Sequence, residues 1–115
     1  MLSARVRKLN SLIRDQLSSI IYDECDWTHH LALSVTEVDT APDLSNCKAR
    51  INLFGDEKLK KEVLLKLRKL SGHFRYILAK RIEIRKVPLL NFELDDSIET
   101  EARVLALIDQ VKPKE

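Results

Sequence analysis

The sequence predicts a small α+β protein in which helices cover one face of a three-stranded sheet. Helical spacing of apolar residues, strict alternation in three short segments and a long helical crossover before the third strand support this prediction. At 115 residues the chain fits one domain, predicted over 1–115 with a short flexible tail. A hydrophobic fraction of 44% and a charged fraction of 33% are typical of globular chains rather than disordered ones.

The first half of the chain predicts one helix and a hairpin. Apolar residues recur every three or four positions from Ser3 to Glu24, which indicates an amphipathic helix. Alternation predicts a half-buried strand over 31–36 and a second strand over 47–53. Between them, the Asp-Thr-Ala-Pro-Asp cluster at 39–43 is typical of a turn, because Pro fixes its own φ and Asp caps local amides.

The second half begins with a long helical pattern from Asp56 to Ile82 that contains one glycine near its centre. Gly inside a helix costs about 1 kcal/mol relative to Ala, and Ser competes for backbone hydrogen bonds. We therefore predict a bend at Ser71-Gly72. A continuous helix that tolerates Gly72 is the alternative.

A third strand is predicted over 89–94, after Pro88, where apolar and polar residues alternate again. The long crossover before it permits parallel pairing with one hairpin strand. Asp95-Asp96-Ser97 opens a last helix, with Asp96 as the cap and Glu99 completing a capping pair, and Pro113 ends it. The predicted order is α-β-β-α-kink-α-β-α.

Charge is concentrated in residues 56–86, where eleven Lys and Arg face four acids, a balance of +7. The rest of the chain sums to −5, so the net charge of +2 hides a strongly cationic element. Clustered cations stabilise a bound polyanion by releasing its counterions, which favours nucleic acid as a partner. Ordinary solvation of a helix surface is the alternative. The predicted RNA-binding residues on this element are Lys61, Arg68, Lys69, Ser71, Gly72, His73, Arg75, Tyr76, Lys80, Arg81, Arg85 and Lys86, with Arg5, Lys8, Lys48 and Arg50 as peripheral charge.

Catalytic and cofactor signals are weak. A phosphate-binding loop needs more glycines than the two present, and the Asp95-Asp96 pair is better explained as a helix cap. Cys25, Cys47 and the histidines at 29–30 could together bind zinc, but they lack the paired spacing of structural sites. Alternation also directs Cys47 into the core. We therefore predict buried thiols, no metal, no cofactor and no enzymatic activity.

The location of the protein is predicted from what the sequence lacks. No apolar run approaches the roughly 20 residues that cross a bilayer, and no apolar segment that could act as a signal peptide follows the basic N-terminus. We expect a cytoplasmic protein with no membrane partner.

Three segments of the chain resemble the ribosome-binding factor A family: residues 38–45, residues 67–74 and, above all, residues 84–99. The resemblance covers about 5–111. It implies a type II KH-like domain in which a helix-kink-helix replaces the usual GxxG loop. The family's Ala-x-Gly kink corresponds here to Leu70-Ser71-Gly72, so the alanine position holds a larger leucine.

The resemblance also implies a function. Members of the family are non-catalytic, bind immature small ribosomal subunits near the 5′ region of the rRNA, support its maturation, notably in the cold, and are released by an assembly GTPase. We expect this chain to do the same as a monomer. The alternative is a protein-interaction module without direct RNA contact, in which outward apolar residues such as Leu65 meet the partner.

Overall fold

The structure is a computed structural model that describes residues 3–95. Its first helix, α1, spans Ala4–Glu24, as predicted. Ser3 caps it, because its hydroxyl accepts a hydrogen bond from the backbone N–H of Val6. The apolar stripe is buried as the helical period requires. Its buried members are Val6, Leu9, Ile13, Leu17, Ile20 and Ile21.

Within residues 3–95, three strands form one mixed sheet in the order β1-β2-β3. β1 (Ser34–Thr40) pairs antiparallel with β2 (Asn46–Asn52), and β2 pairs parallel with β3 (Leu89–Leu94). The predicted α+β class and the parallel third strand are therefore confirmed. Alternate residues of β2 point to opposite faces, so Cys47, Ala49 and Ile51 are buried while Lys48 is exposed.

The long helical pattern forms two helices, α2 (Glu57–Lys69) and α3 (Ser71–Arg81), so the predicted break is confirmed, although it falls at Leu70 and not at Ser71-Gly72. Asp56 caps α2 by accepting the N–H of Leu59. Leu70 is the junction: its N–H donates back to the carbonyl of Lys66, and its own carbonyl accepts the N–H of Phe74.

The break is not caused by special backbone freedom of Gly72. Its φ is not positive, and a Cβ built on it would meet nothing within 4 Å. The fold itself therefore accepts a side chain at this position.

The boundaries of the first strand differ from the prediction. Residues 26–31 form a short 3₁₀ helix, and Ala32 then adopts a left-handed φ of 48°, so the strand cannot begin at Leu31. A register shift between Val35 and Glu37 changes which residues face the core. Thr40, predicted in the turn, is instead the buried last residue of β1.

The turn itself occupies residues 41–45. Leu44 has a left-handed φ of 61°, and its N–H donates to the carbonyl of Ala41. Asp43 accepts hydrogen bonds from the N–H and the hydroxyl of Ser45, and these bonds lower the pKa of its carboxyl. Pro42 and Asp43 therefore lie in the turn as predicted, although the turn runs over 41–45 and not over 39–43.

The core lies between the sheet and the helices. Phe74 of α3 meets Phe92 of β3 edge to face, with ring centroids 5.9 Å apart. Cys25 and Cys47 are both buried, as predicted for Cys47, and burial raises the pKa of the Cys47 thiol to about 11. Within residues 3–95, no three His, Cys, Asp or Glu side chains are grouped to hold a metal ion.

Two further predictions concern the ends of the chain and the membrane. The last helix, predicted after Asp95, lies outside the described residues. In the described part, none of the helices has the length and apolar character needed to cross a bilayer.

Candidate nucleic-acid interface

A groove of about 520 Å³ lies where the α2–α3 junction meets β3; we call it the junction groove. It combines residues that are far apart in sequence but adjacent in the fold. Its lining is Lys48, Arg68, Ser71, Leu90, Asn91, Phe92 and Glu93.

The polar walls of the junction groove follow from strand register and helix placement. Lys48 and Asn91 are direct partners in the parallel β2–β3 pair, and both are exposed. Arg68 approaches from α2, and its guanidinium donates to the carbonyl of Phe92 at 3.2 Å. Arg68 therefore serves the fold while it adds positive charge to the groove.

The first turn of α3 adds amide donors at the same place. Ser71 begins the helix and lines the groove, and Gly72 follows it in the first turn. The N–H groups of a first helical turn have no partner within the helix and carry partial positive charge, so they suit a phosphate. A Cβ built on Gly72 would meet no atom within 4 Å, so the side of Gly72 that a side chain would occupy is open.

The surface beside the groove adds more charge. Lys61 precedes Arg68 by seven residues, so both lie on the same side of α2. Lys61 and Lys69 are exposed, and within residues 3–95 neither has a carboxylate within 4 Å. On α3, Tyr76 is 61% exposed and the Lys80 ammonium lies 4.3 Å from its ring centroid.

Arg50 and His73, both predicted to bind RNA, contact carboxylates. Arg50 lies between Glu37 at 2.9 Å and Glu93 at 3.0 Å, and its hydrogen bond with Glu93, followed by the charge of Glu37, raises the pKa of its guanidinium. His73 contacts Glu24 of α1, with 2.6 Å between Nε2 and the carboxylate oxygen. These contacts occupy both side chains and make them less available to a phosphate.

Two other predicted cations tie elements of the fold together. Arg75 donates to the carbonyls of Val87 and Pro88 at 2.8 and 3.1 Å, which anchors the segment before β3 to α3. Arg81 donates to the Ser19 hydroxyl and lies 3.5 Å from the Asp23 carboxylate, which connects α3 to α1. Reversing the charge of Arg75 would therefore disturb the fold, and Arg75 is a poor position for a binding test.

The remaining predicted cations lie on a different surface. Arg5 and Lys8 of α1 converge with Arg85 and Lys86, which follow α3. Sequence patterning gave no sign of this convergence, because Arg5 and Lys8 are far in sequence from Arg85 and Lys86.

Other residues of the cationic segment have roles that the sequence analysis missed. Lys60 is only 3% exposed, and the Lys66 ammonium lies 4.8 Å from the centroid of the Trp27 ring. Asn91 was also missed as a member of the groove. The alternation of β3 was the available signal, since it places Asn91 on the opposite face from Leu90 and Phe92.

The fold and the groove of the described residues define a class of protein. Its members are small α+β proteins in which a broken helix pair packs on a mixed three-stranded sheet, with a cationic groove at the break. Residues 5–108 match the family model described as ribosome-binding factor A. The chain belongs to this family.

Curated relatives agree over nearly the full length. The chain is 34% identical to ribosome-binding factor A of Halothermothrix orenii over 111 residues, which cover 96% of this chain and 91% of the relative. It is 37% identical to that of Lachnospira eligens over 110 residues, which cover 95% and 85%.

Solved structures share the fold. The solution structure of a Thermotoga maritima protein described as a putative ribosome-binding factor A gives a TM-score of 0.73 at 22% identity, covering 86% of this chain and 94% of that one. The crystal structure of ribosome-binding factor A from Thermus thermophilus gives 0.68 at 22% identity, covering 77% and 93%. A homology model of the Thermus thermophilus protein, fitted into a cryo-EM map of its complex with the 30S subunit, gives 0.63 at 23% identity, covering 76% and 91%.

Proposed function

We propose that this chain is a non-catalytic RNA-binding assembly factor that binds immature small ribosomal subunits and assists maturation of the 5′ region of their rRNA. The observation that carries the proposal is the junction groove, where Lys48, Arg68 and Ser71, the first residue of α3, line one space. Family membership supports it, as does the 30S complex of the Thermus thermophilus relative.

The proposed interaction divides into positioning and reading. Phosphates lie against the amides of Ser71 and Gly72 and between the charges of Lys48 and Arg68. Asn91 carries both an amide donor and an acceptor, so it can pair with the edge of an unstacked base. Lys61, Lys69 and Lys80 extend the contact along the helices, and Tyr76 offers an exposed ring for stacking.

The proposed mechanism is differential binding. A protein that binds one immature rRNA conformation more tightly than the mature one shifts the population toward the first, and leaves when maturation removes its site. We place this activity in the cytoplasm, carried out by a monomeric KH-like domain, with an assembly GTPase as the agent of release.

Salt dependence of binding tests the proposal. The cations assigned to RNA give about five phosphate contacts; they are Lys48, Lys61, Arg68, Lys69 and Lys80. Affinity for immature small subunits should therefore fall about a hundredfold between ~50 and ~200 mM monovalent salt. Sedimentation or light scattering at constant Mg²⁺ measures this slope. A change of less than about threefold would favour the protein-interaction alternative. That alternative is supported by Leu65, an apolar side chain of α2 that is 56% exposed.

Gly72→Ala should change the stability of the fold and the affinity for RNA in opposite directions. Because a Cβ at this position would have no atom within 4 Å, the substitution should raise the free energy of unfolding, by about 0.5–1 kcal/mol. The same methyl group would keep an RNA backbone from the first-turn amides, so we expect binding about tenfold weaker. Urea denaturation and subunit binding measure the two effects.

The matched control for this substitution is Ala79→Gly, at an exposed position of the same helix. It should lower stability by about 1 kcal/mol and leave binding unchanged. Equal RNA affinity of Gly72→Ala and the unmodified protein would mean that no backbone approaches Gly72.

A further inference from the structure

A second groove, of about 480 Å³, shares no lining residue with the junction groove. We call it the α1 groove, because α1 forms one of its walls. Three separate segments build it: α1, the β1–β2 turn and the stretch that follows α3. Its lining is Arg5, Lys8, Leu9, Leu12, Asp43, Leu44, Glu83, Ile84, Arg85 and Lys86.

The floor of the α1 groove is aliphatic. Leu9 is buried beneath it, Leu12 is 42% exposed, and Leu44 and Ile84 are half-buried. Leu44 lines the groove from a left-handed turn position, with a φ of 61° that non-glycine residues seldom adopt. The fold thus maintains a strained aliphatic residue at this surface.

The rim of the α1 groove is cationic. Arg5, Lys8, Arg85 and Lys86 are exposed, and within residues 3–95 none of them has a carboxylate within 4 Å. The lining also contains two acids, Asp43, which accepts hydrogen bonds from Ser45, and Glu83. Four cations and two carboxylates leave a net charge of +2 on the described lining, around an apolar floor.

This combination fits a protein segment better than RNA. Among the described residues that line the groove none is aromatic, so the planes of Arg5 and Arg85 are the stacking surfaces that it offers to an unstacked base. A phosphate needs the rim but gains nothing from leucine and isoleucine. A segment with aliphatic side chains flanked by carboxylates can pack on the floor and pair with the rim at the same time, as an amphipathic helix does in a groove.

We propose that the α1 groove binds an acidic, amphipathic segment of a protein partner, whose Leu or Ile side chains fill the floor while its carboxylates pair with the rim. This goes beyond the proposed function, because it removes four cations from the predicted RNA surface and assigns them to a protein. RNA and a protein partner then bind separate surfaces of one domain.

The test uses the full chain and a defined probe. The probe is a fluorescent helical peptide of about 15 residues, with leucines at i and i+4 flanked by glutamates, and its control is a scrambled peptide of identical composition. Fluorescence anisotropy should show at least tenfold tighter binding of the patterned peptide. An oligoribonucleotide of equal net charge is the competitor.

Three variants locate the interaction. Lys8→Glu with Lys86→Glu should weaken peptide binding by about tenfold or more, and Leu12→Ser by about fivefold. Arg14→Glu with Lys58→Glu makes the same charge change outside both grooves and should leave peptide binding unaltered. Affinity of the Lys8/Lys86 variant for small subunits should change less than about threefold, which separates this test from that of the proposed function.

Several outcomes would overturn the proposal. They are equal binding of the scrambled peptide, full peptide affinity in Leu12→Ser, displacement of the peptide by the oligoribonucleotide, and no measurable peptide binding. Displacement by RNA would instead return the four cations to the nucleic-acid surface.

Discussion

Reversing Lys48 and Lys61 to glutamate is expected to weaken binding to immature small subunits by about a hundredfold at ~50 mM salt. Lys48 lines the junction groove, and Lys61 lies on the same side of α2 as Arg68. Each reversal removes one phosphate contact and places a carboxylate near the RNA backbone. Because fewer counterions are then released, the salt slope should also become shallower by about two contacts.

The fold should survive this double reversal. Both lysines are exposed, and neither has an ion pair with another of residues 3–95. Circular dichroism should therefore match the unmodified protein. Arg7→Glu with Arg14→Glu, at exposed positions of α1 outside both grooves, is the charge-matched control and should bind almost normally. Undiminished binding of Lys48→Glu with Lys61→Glu would refute the junction groove as the RNA surface.

Phe74→Ala should have the largest effect on stability, lowering the free energy of unfolding by about 3–5 kcal/mol. The ring is fully buried, and its edge-to-face contact with Phe92 holds α3 against β3. Since a domain is stabilised by only about 5–15 kcal/mol in total, the loss is a large share of what keeps it folded. Urea denaturation monitored by circular dichroism measures it.

Leu65→Ala is the control for Phe74→Ala, because this apolar side chain is exposed on α2. It should change the free energy of unfolding by less than about 0.5 kcal/mol. A loss below about 1 kcal/mol in Phe74→Ala would mean that the α3–β3 contact contributes little to the core.

Most of the fold could be predicted because it follows from local patterns. Helical and alternating periods identified α1, the second and third strands and the broken helix. The first strand was misplaced because the alternation of Leu31, Leu33 and Val35 does not reveal the left-handed Ala32 or the bulge after Val35. Thr40 looked like turn chemistry, yet its side chain is buried in the core.

The candidate site was less predictable, because charge can be counted along a sequence while its partners cannot. His73 and Glu24 are 49 residues apart, and nothing local indicates that they meet. Arg75 looked like a phosphate-binding residue, but it donates to two backbone carbonyls. Likewise, Gly72 was predicted from helix propensity to cause the bend, whereas the structure gives it no role in the packing of the free protein.

The arginines that bond to backbone carbonyls also determine which chemistry β3 presents. A slip of one residue in the β2–β3 pair would turn Asn91 inward and bring Phe92 to the surface, since strand side chains alternate with a period of two. Arg75 holds the carbonyls just before the strand and Arg68 holds one within it. The hydrogen bonds from Arg68 and Arg75 therefore favour the present alignment of β3. The chemical character of the junction groove depends on that alignment.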